Sequence, residues 1–288
     1  MNRQIHIGSC AWTYDDWRGP FYPADLPTGR WLHLYAQIFR AVEVDSTFYA
    51  VPPPETVAHW LEATPAEFRF TCKAPKSITH QKRLRDCGEL LSEFLEALRP
   101  LKPKLGPVLF QMPPSFAPEK SATTLRDFLG ELPQGWRFAI EFRHEGWHQP
   151  RFVKMLEDHG VCWTWGDLTS VEDQARGPFE FLPETANFLL VRLMGDLKNK
   201  YVGSGQRRFR YTKTMWPRTG AVESWAVRLK KHLETVSDIY VSVSNHFEGF
   251  APATMRRLAE SLGEEVALPP RNASAEMLET DGKQLTLL

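Results

Sequence analysis

Short apolar runs recur along the chain, and each ends at a glycine, a proline or a polar residue. Between most of these runs lie segments whose apolar residues repeat with a helical period. This alternation is typical of βα units and predicts a parallel sheet. Eight units favour closure into a single (β/α)₈ barrel, with strands at 5–9, 41–46, 68–73, 108–111, 138–143, 161–167, 188–195 and 239–245.

The length of the chain fits one such barrel followed by a short tail. The chain has 288 residues, and an α/β barrel commonly takes about 250 residues as one domain. Pro269 and Pro270 end the last helical pattern, and the polar residues after them show no periodicity. We therefore predict a barrel domain over 1–267 and a flexible tail over 268–288.

Several protein classes are disfavoured by the composition and by missing motifs. No GxGxxG motif follows a strand, which argues against a dinucleotide-binding fold. No apolar run approaches the roughly 20 residues that cross a bilayer, and no signal-peptide pattern is found. The four cysteines lack CxxC spacing, so we expect a cytoplasmic protein with reduced core thiols at Cys10, Cys72, Cys87 and Cys162.

Charged residues occupy positions that should face the barrel axis. Because side chains alternate across a strand, Glu141 and Arg143 share the face opposite Phe138, Ile140 and Phe142. An isolated buried charge costs several kcal/mol, so such charges must be paired or used. The carboxyl ends of four strands supply them, and barrel enzymes carry their chemistry at that end. We expect a solvent-accessible site rather than a structural ion-pair network, formed by Glu43, Lys73, Glu141, Arg143 and Arg192.

Two loops on the same rim are strongly basic. Residues 73–85 contain five Lys or Arg residues and His80 but no carboxylate, and residues 198–213 contain six basic residues without a carboxylate. Lys+Arg and Asp+Glu are both 35, so this asymmetry is local. A basic mouth attracts phosphate groups, and interleaved aromatic residues suit stacking on bases or sugars. The predicted substrate-binding residues are Lys73, Gln111, Arg143, Arg192, Tyr201, Arg207, Arg208 and Asn245.

Several linked motifs resemble those of the YecE-like family, labelled domain of unknown function 72. They are Gly-Ser-Cys-Ala-Trp-Thr-Tyr-Asp-Asp-Trp at 8–17, Val-Glu-Val-Asp-Ser-Thr-Phe-Tyr at 42–49, Phe-Thr-Cys-Lys-Ala-Pro-Lys-Ser-Ile-Thr-His at 70–80, Leu-Phe-Gln-Met-Pro-Pro at 109–114 and Ala-Ile-Glu-Phe-Arg-His at 139–144. The resemblance implies a TIM barrel and supplies no established activity. The family often has histidine where this chain has Met194 and asparagine where it has Ser244, so a mechanism that needs either residue is in doubt here.

The chain ends in Gln-Leu-Thr-Leu-Leu, which resembles the peptide with which bacterial DNA-processing proteins hold the sliding clamp. A tethered extended peptide can place alternate apolar side chains into pockets. A chance match, or packing of the leucines on the barrel, is the alternative. The predicted partner-binding residues are Gln284, Leu285, Leu287 and Leu288.

Our leading hypothesis is an enzyme that acts on a phosphate-containing substrate, with nucleic acid as the favoured class. The cations at the strand ends would neutralise charge on phosphate oxygens. Glu43 or Glu141 would be the general base, and His80 or His246 the proton donor. No HxH, HExxH or CxxC spacing points to a particular metal. A divalent ion could still be held by ligands from separate strands, namely Glu43, Asp45, Glu141, Asp167 and His246.

Two other hypotheses remain open. A carbohydrate-active hydrolase would use Glu43 and Glu141 as a carboxylate pair across an open cleft, with tryptophans as sugar platforms. Its weakness is the basic rim, because a neutral sugar gains nothing from cationic loops. A non-catalytic module that binds nucleic acid or a phosphorylated metabolite would use the same basic mouth.

Overall fold

The computed structural model describes residues 4–168, 181–196 and 209–264. In these residues one sheet contains β1 (Gln4–Cys10), β2 (Ala41–Val44), β3 (Arg69–Lys73), β4 (Leu105–Gln111), β5 (Phe138–Glu141), β6 (Cys162–Trp163), β7 (Trp165–Asp167), β8 (Phe188–Leu193) and β9 (Asp238–Val243). Every pairing is parallel, in the order β6-β5-β4-β3-β2-β1-β9-β8-β7. The predicted (β/α)₈ barrel is therefore confirmed, as a nearly closed barrel.

The sixth predicted strand is divided into β6 and β7 at Thr164. The first piece pairs with β5 and the second with β8. The Thr164 N–H still donates to Ile140 O at 2.9 Å, so the backbone stays attached to β5 until it changes neighbour. Because the two pieces are one continuous run, this change of partner brings the two ends of the sheet together.

Helices follow most of the strands. They are α1 (Trp31–Ile38), α2 (Pro54–Glu62), α3 (Gly88–Leu98), α4 (Pro118–Glu131), α5 (Pro150–Glu157), α6 (Thr219–His232), α7 (Asn245–Glu248) and α8 (Ala251–Leu262). Helical periodicity of the apolar residues predicts five of them, α1, α3, α5, α6 and α8, from stripes at 31–39, 90–98, 152–156, 222–233 and 255–262. Proline occupies the first turn of α2 and of α4, where its fixed φ suits a helix start.

Alternation along the strands separates two apolar layers, as expected. Phe138 and Ile140 of β5, with Leu189 and Val191 of β8, belong to the large core between the sheet and the helices. A smaller cluster fills the barrel itself: Leu109, Ala139, Cys162, Phe188, Leu190 and Tyr240. Glu141 and Arg192 therefore point along the axis, one layer nearer the carboxyl ends of the strands.

A compact polar cluster closes the amino-terminal end of the barrel. Asp238 at the start of β9 lies 3.2 Å from His6 Nε2 and accepts a 2.7 Å hydrogen bond from Arg137 Nη2. Arg137 also donates to the Tyr240 hydroxyl, whose ring stacks on His6 at 5.0 Å. Burial alone would raise the pKa of the Asp238 carboxyl, but the hydrogen bond from His6 and the charge on Arg137 lower it to about 2.

The remaining predictions about the chain as a whole have mixed outcomes. All four cysteines are free and buried, as expected. In the described parts of the chain, no helix has both the length and the apolar character needed to cross a membrane. The boundary between 267 and 268 and the tail beyond it lie outside the described residues.

Candidate active site at the barrel mouth

A buried ion-pair triad forms the floor of the mouth. Arg192 on β8 reaches across the axis to Glu43 on β2, with Nε to Oε2 at 2.9 Å and Nη2 to Oε1 at 2.6 Å. Its Nη1 donates to Glu141 on β5. The three side chains are at most 2% exposed. These three charges lie at one level of the barrel, as predicted. They are buried in mutual ion pairs, however, and do not form the solvent-accessible site that was expected.

This geometry corrects the predicted roles of the two glutamates. Both Glu43 oxygens face Arg192, and Glu141 is held between Arg192 and Arg143. Neither carboxylate is accessible as a general base, and Arg192 occupies the space that a glycosidase would leave open for the scissile bond. The tryptophans that the carbohydrate hypothesis would use as sugar platforms are Trp12, Trp17, Trp147, Trp163 and Trp165, and all of them except Trp12 are buried.

The two carboxyls respond differently to the same burial. Burial raises the pKa of Glu43. Arg192 lowers this pKa, but the negative charge of Asp45 raises it again, and the pKa stays above its usual value. Burial acts on Glu141 as well, but Arg143 and Arg192 together lower the pKa of that carboxyl. Burial also opposes the charge on Arg192, whose pKa is nevertheless held well above its usual value by the two glutamates. Glu141 is therefore the better compensated carboxylate.

Above the triad, two cations reach the surface of the mouth. Lys73 ends β3, and its Nζ lies 3.6 Å from Asp45 Oδ1 and 4.4 Å from the centre of the Phe48 ring. Arg143 follows β5 and directs its Nε at Glu141. The side chains of Lys73 and Arg143 are 12% and 11% exposed, respectively. Across the described residues, the terminal nitrogens of Arg143 make no hydrogen bond. These two cations can therefore bind an anion that enters from solvent.

His80 stands beside these cations on an unusual loop. It lies in a π-helical turn, Ser77–Gln81, a rare form that often marks functional sites. Downstream, Arg83, Leu84 and Asp86 have φ of 51°, 67° and 45°, in the left-handed region that non-glycine residues seldom adopt. Burial lowers the pKa of His80, and Lys73, Arg143 and Arg83 lower it further. The imidazole is therefore mostly neutral at pH 7.

The contacts of Thr79 bear on the tautomer of His80. Thr79 Oγ1 lies 3.2 Å from Pro75 O and 3.0 Å from His80 Nδ1. When the Thr79 hydroxyl donates to Pro75 O, its oxygen accepts from Nδ1–H and the lone pair lies on Nε2. This arrangement suits a proton acceptor, whereas the sequence-based prediction made this histidine a donor.

His246 occupies another part of the rim. It follows β9, which is three strands away from β3 in the sheet. Its Nε2 lies 3.1 Å from the Tyr211 hydroxyl. A Cβ on Gly195, which has φ +66°, would lie 2.4 Å from His246 O, so glycine is needed where β8 passes the start of α7. Tyr211 is thus one partner of His246 at this part of the rim.

Asp167 and Asn245 hold the scaffold together away from the axis. Asp167 Oδ2 accepts a 2.8 Å hydrogen bond from Trp225 Nε1 on α6. Alternation puts its neighbour Gly166 beside Glu141, so Asp167 faces the helices. Asn245 Oδ1 accepts from Trp17 Nε1 at 3.2 Å and from Ala251 N at 2.9 Å. Both are 2% exposed, which argues against their predicted catalytic and substrate-binding roles.

The other predicted site residues divide into two groups. Gln111 ends β4 in register with Glu141 and is half-buried, close to the mouth. The predicted divalent-ion ligands are not brought together, and within the described ranges no group of three or more His, Cys, Asp or Glu side chains is placed to hold a metal ion. The predictions that lie outside the described residues are Tyr201, Arg207, Arg208, Gln284, Leu285, Leu287 and Leu288.

Sequence reasoning missed the aromatic pair that follows β2. Phe48 touches Lys73, and its ring meets that of His80 edge to face at 5.0 Å. Tyr49 follows it and is 71% exposed. The available signal was two aromatic residues directly after the carboxyl end of a barrel strand, where functional loops begin.

Most of the chain matches one protein family. Residues 6–277 match the family described as protein of unknown function DUF72. The chain belongs to the DUF72 family. Among its DUF72 relatives, UPF0759 protein YunF of Bacillus subtilis is 27% identical over 287 residues, covering 93% of this chain and 98% of YunF. UPF0759 protein YecE of Escherichia coli K12 is 37% identical over 140 residues, and this match spans about half of each protein, 49% and 48%.

Solved DUF72 structures share the fold. A DUF72 protein of Thermotoga maritima is 25% identical with a TM-score of 0.76, over 91% of this chain and 100% of that one. A DUF72 protein of Enterococcus faecalis is 23% identical with a TM-score of 0.72, over 92% and 98%. The barrel is thus common to the family, and the names of these relatives assign no activity.

Proposed function

We propose that this DUF72 chain is an enzyme that acts on a phosphate-containing substrate at the barrel mouth, with nucleic acid as the favoured substrate class. The observation that carries the proposal is the grouping of Lys73, Arg143 and His80 above the triad. Two partly exposed cations and a neutral imidazole there supply anion binding and proton transfer together.

The buried triad supports this use of the cations. Glu43 and Glu141 are engaged with Arg192 and Arg143, so the carboxylates are held below the surface while ammonium and guanidinium nitrogens remain at the opening. The loop after β3 adds positive charge without a carboxylate until Asp86. A phosphate oxygen at the mouth would therefore meet donors of the opposite charge.

His80 would act as the general base. In hydrolysis of a phosphodiester, its Nε2 lone pair takes a proton from the attacking water as the new P–O bond forms. The P–O bond to the leaving alkoxide breaks, the alkoxide takes a proton from solvent, and Lys73 and Arg143 neutralise charge that develops on the phosphate oxygens. Removal of a positioned general base typically lowers the rate about 10²–10⁴-fold. His80→Gln should therefore lose turnover and keep most of its binding.

The test measures binding and turnover separately. Labelled single-stranded and duplex DNA and RNA are titrated at low salt by fluorescence anisotropy, and cleavage is followed on gels with and without divalent metals. Lys73→Ala and Arg143→Ala should each weaken binding about tenfold. The matched control is Lys154→Ala, which removes an exposed lysine on α5. Failure of every nucleic acid to bind, or equal affinity of the site variants and the control, would refute the proposal.

The burial of Glu43 and Glu141 favours a second candidate, a non-catalytic module that binds the same ligands. Because both carboxylates are buried in ion pairs, neither can act as a general base. Near Lys73 and Arg143, His80 is then the candidate base among the described residues. Binding that weakens steeply with salt, without turnover of any bound nucleic acid, would support this candidate over the enzyme.

We also propose that residues 284–288 bind a bacterial sliding clamp. The support is the peptide pattern described above and its place after the barrel domain. Recovery of clamp by the full chain is compared with recovery by a chain that lacks residues 284–288. Equal recovery would refute the proposal.

A further inference from the structure

An exposed aromatic ring stands at the rim beside the proposed phosphate site. Tyr49 is 71% exposed and is the most exposed large apolar side chain in the described part of the chain. Single exposed apolar residues are common on protein surfaces and need no function. Tyr49 differs from them in its location and its surroundings.

The ring of Tyr49 is held on a short, ordered turn. The 3₁₀ turn Ser46–Phe48 directly follows β2, and the Tyr49 N–H donates to Ser46 O at 3.0 Å. Phe48 contacts the Tyr49 ring at 5.2 Å with an interplanar angle of 88°. The backbone that carries the ring is thus already ordered, so a ligand that stacks on it meets a smaller entropic cost.

Phe48 links this ring to the phosphate site. The same phenyl ring contacts Tyr49, the Lys73 ammonium at 4.4 Å and His80 at 5.0 Å. The proposed phosphate-binding ammonium and the exposed ring therefore both contact the same phenyl ring. Lys76 Nζ lies 5.8 Å from the centre of the Tyr49 ring and adds charge beside it.

We propose that Tyr49 is a stacking platform for an unpaired nucleobase of a single-stranded nucleic acid whose phosphate lies at Lys73 and Arg143. This inference rests on the proposed function and specifies its substrate. Aromatic platforms beside basic residues are how proteins hold single strands without reading their sequence. A duplex keeps its base faces stacked, and a neutral sugar would gain nothing from Lys73 and Lys76.

The experiment separates the base from the phosphates. The probes are a labelled oligodeoxythymidylate of about 12 nucleotides, in the range of single-strand site sizes, and an abasic phosphodiester of equal length and charge. A neutral oligosaccharide is the third ligand. The variants are Tyr49→Ala and, as the matched control that keeps the ring, Tyr49→Phe. Lys73→Ala reports on the phosphate site.

We expect the wild type to bind the thymidylate more tightly than the abasic chain. Tyr49→Ala should weaken thymidylate binding about tenfold, the scale of one stacked base, and change abasic binding less than about twofold. Tyr49→Phe should retain wild-type affinity, and Lys73→Ala should weaken both phosphodiester ligands.

Each of the other outcomes refutes either the stacking platform alone or the platform together with the proposed function. Equal binding of the two phosphodiesters, or no effect of Tyr49→Ala, overturns the platform and leaves the proposed function standing. No binding of either phosphodiester overturns both. Tyr49-dependent binding of the oligosaccharide would show a sugar site and would also overturn the platform.

Discussion

The two ends of the barrel each hold a charged cluster, but with opposite arrangements. At the amino-terminal end, one carboxylate, Asp238, is shared by the donors His6 and Arg137. At the carboxyl end, one guanidinium, Arg192, is shared by two carboxylates, Glu43 and Glu141. At the amino-terminal end, two donors therefore surround one carboxylate, whereas at the carboxyl end two carboxylates surround the Arg192 guanidinium.

The two clusters also differ in the residues that surround them and in their position in the barrel. In the amino-terminal cluster, Tyr240 stacks on His6 and receives a hydrogen bond from Arg137, which is itself 35% exposed. The carboxyl-terminal cluster continues toward solvent through Arg143, with Lys73 beside it. In barrels of this type, the amino-terminal face serves stability and the other face carries chemistry. Both clusters touch solvent, so charge and exposure alone do not identify a site, and the location at the carboxyl ends of the strands decides.

The largest expected effect comes from breaking the triad. Arg192→Met should lower the free energy of unfolding by about 3–5 kcal/mol, because it leaves the buried Glu43 carboxylate without its guanidinium partner. Urea unfolding followed by circular dichroism measures this. Glu43 depends on Arg192, whereas Glu141 keeps Arg143, so adding Glu43→Gln to Arg192→Met should restore much of the loss. A loss below about 1 kcal/mol for the single variant would contradict this interpretation.

A smaller effect is expected at the other end. Asp238→Asn should cost about 1–2 kcal/mol at pH 7, since the pKa of this carboxyl is lowered to about 2 and the charged form is stabilised in the fold. A lowered pKa contributes stability above the unfolded value near 4, and that contribution is lost as pH falls toward 2. Urea unfolding of both proteins from pH 7 to pH 3 tests the sign. The difference should shrink with falling pH, and a constant difference would contradict it.

The fold could be predicted from the sequence because its main signals are local. Apolar runs and helical stripes indicated the strands and five of the helices. The division at Thr164 could not be predicted, because the run 161–167 is continuous and its change of partner depends on how the sheet closes. The helices α2 and α4, which begin at prolines, were not among those predicted.

The site was only partly predictable for a different reason. The alternation of side chains along each strand, together with the position near its carboxyl end, correctly predicted that Glu43, Glu141 and Arg192 meet at one level. Both signals are local to a strand and can be read from the sequence. Whether Arg192 would span the axis and seal both glutamates depends on cross-barrel distances that no local pattern contains. Asp167 was wrongly grouped with them, although alternation already puts it on the same side as Trp165.

The smallest expected stability effect belongs to Lys73, and it gives the sharpest test of the comparison. Its ion pair with Asp45 is 3.6 Å long, and the Asp45 side chain is 35% exposed, so solvent screens the attraction. Lys73→Met should therefore change the free energy of unfolding by no more than about 0.5–1 kcal/mol.

The same variant should weaken nucleic-acid binding about tenfold, the scale of a lost charged hydrogen bond. Asp238→Asn should show the reverse pattern, with lower stability and unchanged affinity. Unfolding midpoints and anisotropy titrations on the same two proteins measure both quantities. If Lys73→Met proves as destabilising as Arg192→Met and binds as the wild type does, then Lys73 belongs to the structural network, and the two ends of the barrel serve the same purpose.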